Sequence, residues 1–348
     1  MIRKTLSLLF LLACLGASPA LAQGGSATLR MPDMPLHDPW IVADKKTRTY
    51  YLFTRNEASM TGVRDIGTMV YTSRNLRDWT RPKLVFSLPK GIWAVGGAWA
   101  PEVHRYKGKY YLFTTLHNEA LPRPKLAHGR EAHARGTVVA VANRPDGPYT
   151  LLNQDRPTPD PNLMTLDGTL YVDEAKRPWI VYAHEWVQIR NGTIEAARLA
   201  PDLSIATGEP ITLFRATDAP WVAPQKQPDG DSVTVTDGPE FFRTRTGKLL
   251  MLWSSWGKGG YVQSIARSRT GKLAGPWEQL PPLMHKDSGH GMLFRDFDNR
   301  LMMVLHRPFK NARGRLFEMR DTGDSVEIVR QRCDLDADKT PEADCKGL

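Results

Sequence analysis

A pattern recurring five times along the chain limits the fold more than any other feature. Each copy opens on a short polar or Pro/Gly-flanked step, enters an apolar strand, turns, and enters a second apolar strand. The copies are His37-Asp38-Pro39-Trp40-Ile41-Val42 with Tyr50–Phe53, and Trp99-Ala100-Pro101-Glu102-Val103 with Tyr110–Phe113. They continue as Leu166-Asp167-Gly168-Thr169-Leu170 with Trp179–Tyr182, Thr236-Asp237-Gly238-Pro239 with Leu249–Trp253, and Gly289-His290-Gly291-Met292-Leu293 with Leu301–Val304. Asp38 to Tyr50, Asp167 to Trp179 and Asp237 to Leu249 each span twelve residues, and unit starts lie 64, 65, 70 and 53 residues apart. Four of the units add a second apolar stretch, such as Gly67–Ser73 before Trp79 and Gly136–Ala142 before Tyr149. Four strands per unit is the content of a propeller blade. The expectation is therefore an all-β, five-bladed β-propeller with blades starting near residues 38, 100, 167, 237 and 290. One blade buries both faces only against its neighbours, so the five form one cooperative domain. A sandwich with internal duplication is the alternative, and five units at one long period weigh against it. The 28 glycines and 26 prolines fit the many turns this needs.

In a propeller the innermost strands all begin on one face, so residues at the same blade position converge on the axis. Asp38, Glu102, Asp167, Asp237 and His290 occupy equivalent or nearly equivalent positions. The end of each second strand returns to that face and brings in Glu185, between His184 and Trp186. Carboxylates gathered in a pocket repel one another and lose water, so their pKa values split into an ionised base and a protonated acid. Hydrolysis of a glycosidic bond needs that division. One Asp-Gly or Asp-Pro alone would mean only a turn; five at one repeat position mean more. Trp40, Trp99 and Trp186 adjoin the acids and are candidates either to stack on a sugar or to fill the core.

The N-terminus reads as a secretory signal: Arg3 and Lys4, the apolar run Leu6–Leu15, and the small-x-small site Ala20-Leu21-Ala22. Cleavage after Ala22 leaves residues 23–348 in a periplasmic or secreted protein. Cys14 follows Leu12-Ala13, a weak likeness to a lipid-attachment site that ranks below simple cleavage. Cys333 and Cys345 then remain as an even pair, expected to form a disulfide that closes the C-terminal tail. The net charge is +10, but Lys and Arg are scattered, which speaks against a nucleic-acid partner. No long apolar span follows the N-terminus, so no membrane partner is expected after cleavage.

These motifs, in this order, resemble glycoside hydrolase family 43 over roughly residues 30 to 330. The resemblance implies inversion by three acids: Asp38 as general base, Asp167 as the residue that tunes the acid's pKa and orients substrate, and a glutamate general acid in a Glu-Gly-Pro motif. Here that motif reads Asp237-Gly238-Pro239, and an aspartate reaches one methylene less far. Glu185 and Asp237 are thus both candidate acids, with Glu185 slightly preferred. Glu240, three residues after Asp237, would face away in a regular strand and ranks last. Glu102 and His290 join Trp40, Trp99 and Trp186 as candidate substrate contacts. His290 stands where some members hold a central calcium or water cluster, although calcium prefers oxygen ligands; no cofactor is required. The resemblance implies an oligo- or polysaccharide substrate carrying pentose units. The activity expected first is α-L-arabinofuranosidase, then β-xylosidase, with galactofuranosidase also within the family's range. A non-catalytic carbohydrate-binding propeller is the rival class, supported by the aspartate at the acid position and opposed by the retained Asp38 and Asp167.

Overall fold

The computed structural model describes residues 28–126 and 130–337. Five four-stranded antiparallel sheets follow one another along the chain, each paired in sequence order. Blade 1 comprises Trp40–Asp44, Thr49–Arg55, Gly67–Ser73 and Lys83–Ser87. Blade 2 comprises Gly96–Tyr106, Lys109–Arg123, Ala132–Ala142 and Thr150–Leu151. Blade 3 runs through Thr165–Val172, Pro178–His184, Thr193–Arg198 and Ile211–Arg215. Blade 4 runs through Asp237–Arg243, Leu249–Gly257, Gly260–Ser268 and Trp277–Gln279. Blade 5 is built from Gly289–Arg295, Leu301–Arg307, Arg313–Asp321 and Val326–Gln331. This is the expected five-bladed β-propeller. Blade 2 starts at Gly96, four residues earlier than expected, because its strand extends through Trp99 with two breaks in register.

Second strands such as Thr49–Arg55 are buried along almost their whole length, as strands covered on both faces must be. The apolar core is a set of layers between blades rather than a single centre. Leu52, Tyr71, Leu112 and Val304 pack together where blades 5, 1 and 2 meet. Phe113, Ile180 and Tyr182 join blades 2 and 3. Val181, Met251 and Trp253 join blades 3 and 4, and Leu252, Met303 and Phe317 join blades 4 and 5.

At or near the start of each innermost strand a residue in the left-handed region recurs at the same place: Asp38 (φ 50°), Ala100 (44°), Asp167 (54°), Gly238 (54°) and His290 (51°). In blades 2 to 5 the register with the second strand slips there. A bulge frees a backbone N–H, and a side chain of the preceding blade takes it up. Asp167 N–H donates to Thr115 Oγ1 (3.0 Å), Gly238 N–H to Asp167 Oδ2 (3.1 Å) and His290 N–H to Ser254 Oγ (2.8 Å). Thus the bulges aim residues at the axis and tie adjacent blades together.

The signal segment and Cys14 lie outside the described residues, as does Cys345 of the expected disulfide; Cys333 begins the short helix Cys333–Asp336. Among the described residues, no helix is long and apolar enough to cross a membrane.

Candidate active site

The five left-handed positions set a correction to the repeat alignment. Asp38, Asp167 and His290 are equivalent, but Asp237 precedes its blade's bulge by one residue and Glu102 follows its own by two. The outcome is two layers along the axis. The outer layer is a pocket of about 200 Å³ that brings together Asp38, Asp167, Asp237 and His290 with Trp99, Tyr261 and others. The inner layer surrounds a void of about 10 Å³, room for one water, and contains Glu102, Glu240 and Trp40.

Glu102 therefore does not face the pocket: it is buried and its Oε2 lies 2.9 Å from His104 Nε2. Trp40 is also buried and donates from Nε1 to the carbonyl of Val103 (3.1 Å), so of its two readings the core one holds. Glu240 is buried beside the same void, with Oε2 unpartnered. The bulge between Asp237 and Glu240 breaks strict alternation, so the spacing argument against Glu240 does not apply. Burial keeps it from the pocket instead. Burial also pushes both glutamates well above the carboxylate range.

Asp38 sits among three imidazoles. The Nδ1 atoms of His37, His290 and His306 lie 2.9, 3.1 and 3.3 Å from its Oδ1. Burial alone would raise its pKa, but His290, His37 and His306 outweigh burial and hold Asp38 well below the usual range. Burial depresses His290 to about 4, so at neutral pH this contact is a neutral imidazole donating to a carboxylate. Asp167 goes the other way. Burial, then the negative neighbours Asp237 and Asp38, push it well above its ordinary value. Asp237 is pushed to about 7 by burial, against the hydrogen bond that Tyr261 OH donates to its Oδ2 (2.9 Å); Asp38 and Glu185 raise it further. One carboxylate is thus held ionised beside two whose proton affinity is raised.

Glu185 follows the second strand of blade 3, buried, and pairs with Arg135 from blade 2. Burial raises its pKa and Arg135 draws it back down. Behind it, both ring nitrogens of His184 face oxygens, Glu195 Oε1 at 3.0 Å and Gln188 Oε1 at 2.9 Å. Burial opposes the charge on His184, yet Glu195 holds its pKa above the ordinary value. Trp186 lines a separate cavity of about 460 Å³ with Arg130 and Asp229. Trp99 does face the pocket of the three aspartates, with the Arg135 guanidinium 5.0 Å from its ring centroid.

Sequence reasoning missed His37, His306 and Tyr261. His306 closes the second strand of blade 5, so the rule that found Glu185 at a strand end would have found it. Tyr261 begins a third strand, a place the repeat does not flag. Its ring stacks on His306 at 5.5 Å. On the blade 5 and blade 1 side the pocket shares His37, Arg55 and Phe309 with a larger groove of about 720 Å³. The pocket therefore lies in a cleft that continues beyond the three aspartates.

The family model for glycosyl hydrolases family 43 matches residues 33–341. The endo-arabinase of Bacteroides thetaiotaomicron VPI-5482 superposes with a TM-score of 0.74 and is 37% identical, covering 84% of this chain and 97% of its own. The extracellular endo-α-(1→5)-L-arabinanase 1 of Bacillus subtilis is 23% identical over 176 residues, 49% of this chain. This chain spans only 50% of that enzyme's length in the match. An exo-1,5-α-L-arabinanase from a bovine ruminal metagenomic library shares the fold, with a TM-score of 0.56 and 18% identity over 84% of this chain and 96% of its own.

Proposed function

The chain belongs to glycosyl hydrolases family 43, and from that premise we propose that it is an exported, inverting arabinanase cutting α-L-arabinofuranosyl links within arabinan chains. The observation that carries this is the cleft: three aspartates of unlike protonation at its centre, and a groove continuing past Arg55 and Phe309. An enzyme trimming single terminal residues needs a pocket closed at one end. The endo-arabinase and endo-arabinanase among its relatives support the same substrate class.

In the proposed reaction Asp38 is the general base. Its side chain keeps 14% of its surface exposed, which admits water. It takes a proton from water as that water attacks the anomeric carbon. Asp237 gives its proton to the departing sugar oxygen, so that oxygen leaves neutral. Inversion requires base and acid roughly 6.5–9.5 Å apart, leaving space for the water. Asp38 and Glu185 raise the proton affinity of Asp237, and Asp167 accepts the backbone N–H of Gly238 beside it and so fixes the strand that carries the acid. Asp237 is preferred to Glu185 as acid because it shares the pocket with Asp38, whereas Glu185 is engaged by Arg135. On this reading Glu185 and Trp99 bind substrate.

A calcium on the axis would meet His290, His37 and His306 around one carboxylate oxygen. That set does not fit a cation that wants six to eight oxygens, and no step here uses a metal.

A panel of linear arabinan, xylan and an aryl α-L-arabinofuranoside tests the proposal. Linear arabinan should be the best substrate, with oligosaccharides appearing before free arabinose. Faster turnover of xylan, or arabinose alone from the first minutes, would replace this reading with a xylan-directed or an α-L-arabinofuranosidase activity.

A further inference from the structure

The second and third strands of blade 2 are the longest hairpin in the described fold, and they carry a cluster the proposed reaction does not use. His117, Glu119 and His133 bring one ligand atom each within 4.8 Å of one another. The pairing of Asn118 with Ala134 jumps to Pro122 with His133, so residues 119 to 121 bulge outward. Asn118 braces the bulge, donating from Nδ2 to the Trp93 carbonyl (2.8 Å) and accepting from Ala120 N–H (3.0 Å). The His117 ring is clamped. It lies 4.7 Å from the Trp99 ring, and a Cβ added at Gly96 would come within 2.6 Å of its Cε1 and Nε2. Its Nδ1 is buried and makes no hydrogen bond.

We propose that His117, Glu119 and His133 bind one divalent transition-metal ion, zinc by chemical preference, on the wall of blade 2 beside the catalytic cleft. Two imidazoles and one carboxylate suit zinc and disfavour calcium or magnesium, and leave a fourth position for water. The neighbouring cation does not forbid this, because Arg135 is already paired with Glu185. It does impose an exchange. A neutral imidazole has one lone pair, and that of His133 Nε2 accepts from Arg135 Nη2 at 2.9 Å. Whichever ring nitrogen takes the metal, the Arg135–His133 bond is given up and a metal–His133 bond replaces it. The guanidinium then keeps Glu185 alone. The inference stands apart from the arabinan reading, since it concerns binding and not turnover.

The test uses the full chain, stripped with a chelator and titrated with Co²⁺ for visible d–d absorption, then with Zn²⁺ to displace it. One equivalent should bind, and Zn²⁺ should quench the bands. Glu119 is exposed and His133 partly so, so Glu119→Gln and His133→Asn should fold. Each should lower Co²⁺ affinity by more than about tenfold. The proposal is overturned if the wild type shows no such bands, or if either variant binds Co²⁺ as tightly as the wild type, which would place the ion elsewhere, for example at His37, Asp38 and His306.

Discussion

Asp38 is held ionised by imidazoles that are themselves held in place by stacking, and its function should be separable from its contribution to binding. Asp38→Asn preserves shape but cannot take a proton, so turnover should fall by about 10²–10⁴ while arabino-oligosaccharide affinity, read by calorimetry, stays within a few fold. Near wild-type turnover would remove Asp38 from the base role. The proton donor has a signature in pH. An acid must be protonated to act, so activity should fall as pH rises through the value of about 7 set for Asp237. The Tyr261 hydroxyl lowers that value, so Tyr261→Phe should move the alkaline limb of kcat/KM to higher pH. A limb that stays put, or moves down, contradicts Asp237 as donor. Leaving-group chemistry separates the two candidates: losing the true acid should harm arabinan far more than an activated aryl glycoside. Asp237→Asn should show that difference, and Glu185→Gln should slow both alike. At this scale Asp38, Asp167 and His290 were legible because each holds the left-handed position of its own repeat. Glu102 was misplaced because Asp-Pro and Pro-Glu look alike in sequence, while the left-handed residue of blade 2 is Ala100.

The bulge is the element that makes the site, and Gly238 is the bulge residue that packs against the His290 ring. Its φ of 54° strains any side chain, and a Cβ there would lie 2.9 Å from Cγ and Cδ2 of His290. Gly238→Ala should cost about 1–2 kcal/mol from the backbone alone and push the His290 ring away from Asp38. Turnover should drop at least tenfold together with the melting temperature; an active, equally stable Gly238→Ala would show that the bulge has slack. Sequence alternation cannot reveal such a feature. It counts residues in steps of two and assumes an unbroken pleat, which is why Glu240 was set aside for a reason that does not hold at a bulge. The twelve-residue spacing, by contrast, survived: it measures a whole hairpin, bulge included.

Across the whole molecule the ring must be closed, and the repeat says nothing of how. Among the described residues each blade is continuous in sequence, and no strand is exchanged between the ends. The segment before Asp38 bridges blades 1 and 5 instead. Leu29 exchanges backbone hydrogen bonds with Trp79 of blade 1 (2.8 and 2.9 Å). Leu36 N–H donates to the Ala312 carbonyl, at the entrance to blade 5's third strand (3.1 Å). Met31, Met34 and Leu36 are fully or almost fully buried, worth up to roughly 1.5–3 kcal/mol each. Deleting residues up to Leu36 should therefore unfold the chain or lower its thermal midpoint sharply, by differential scanning calorimetry; an unchanged midpoint would mean that blades 1 and 5 close unaided. The number of blades was readable because the period is long and repeated five times. The clasp was not, since it belongs to no repeat. The molecule as a whole is proposed to bring water onto one face of an arabinofuranosyl bond and a proton onto the other. Proton NMR of the first product released from linear arabinan, recorded before mutarotation, tests that most directly. The account predicts a β-configured new reducing end from the α-linked substrate; an α-configured first product would mean two displacements and would contradict it.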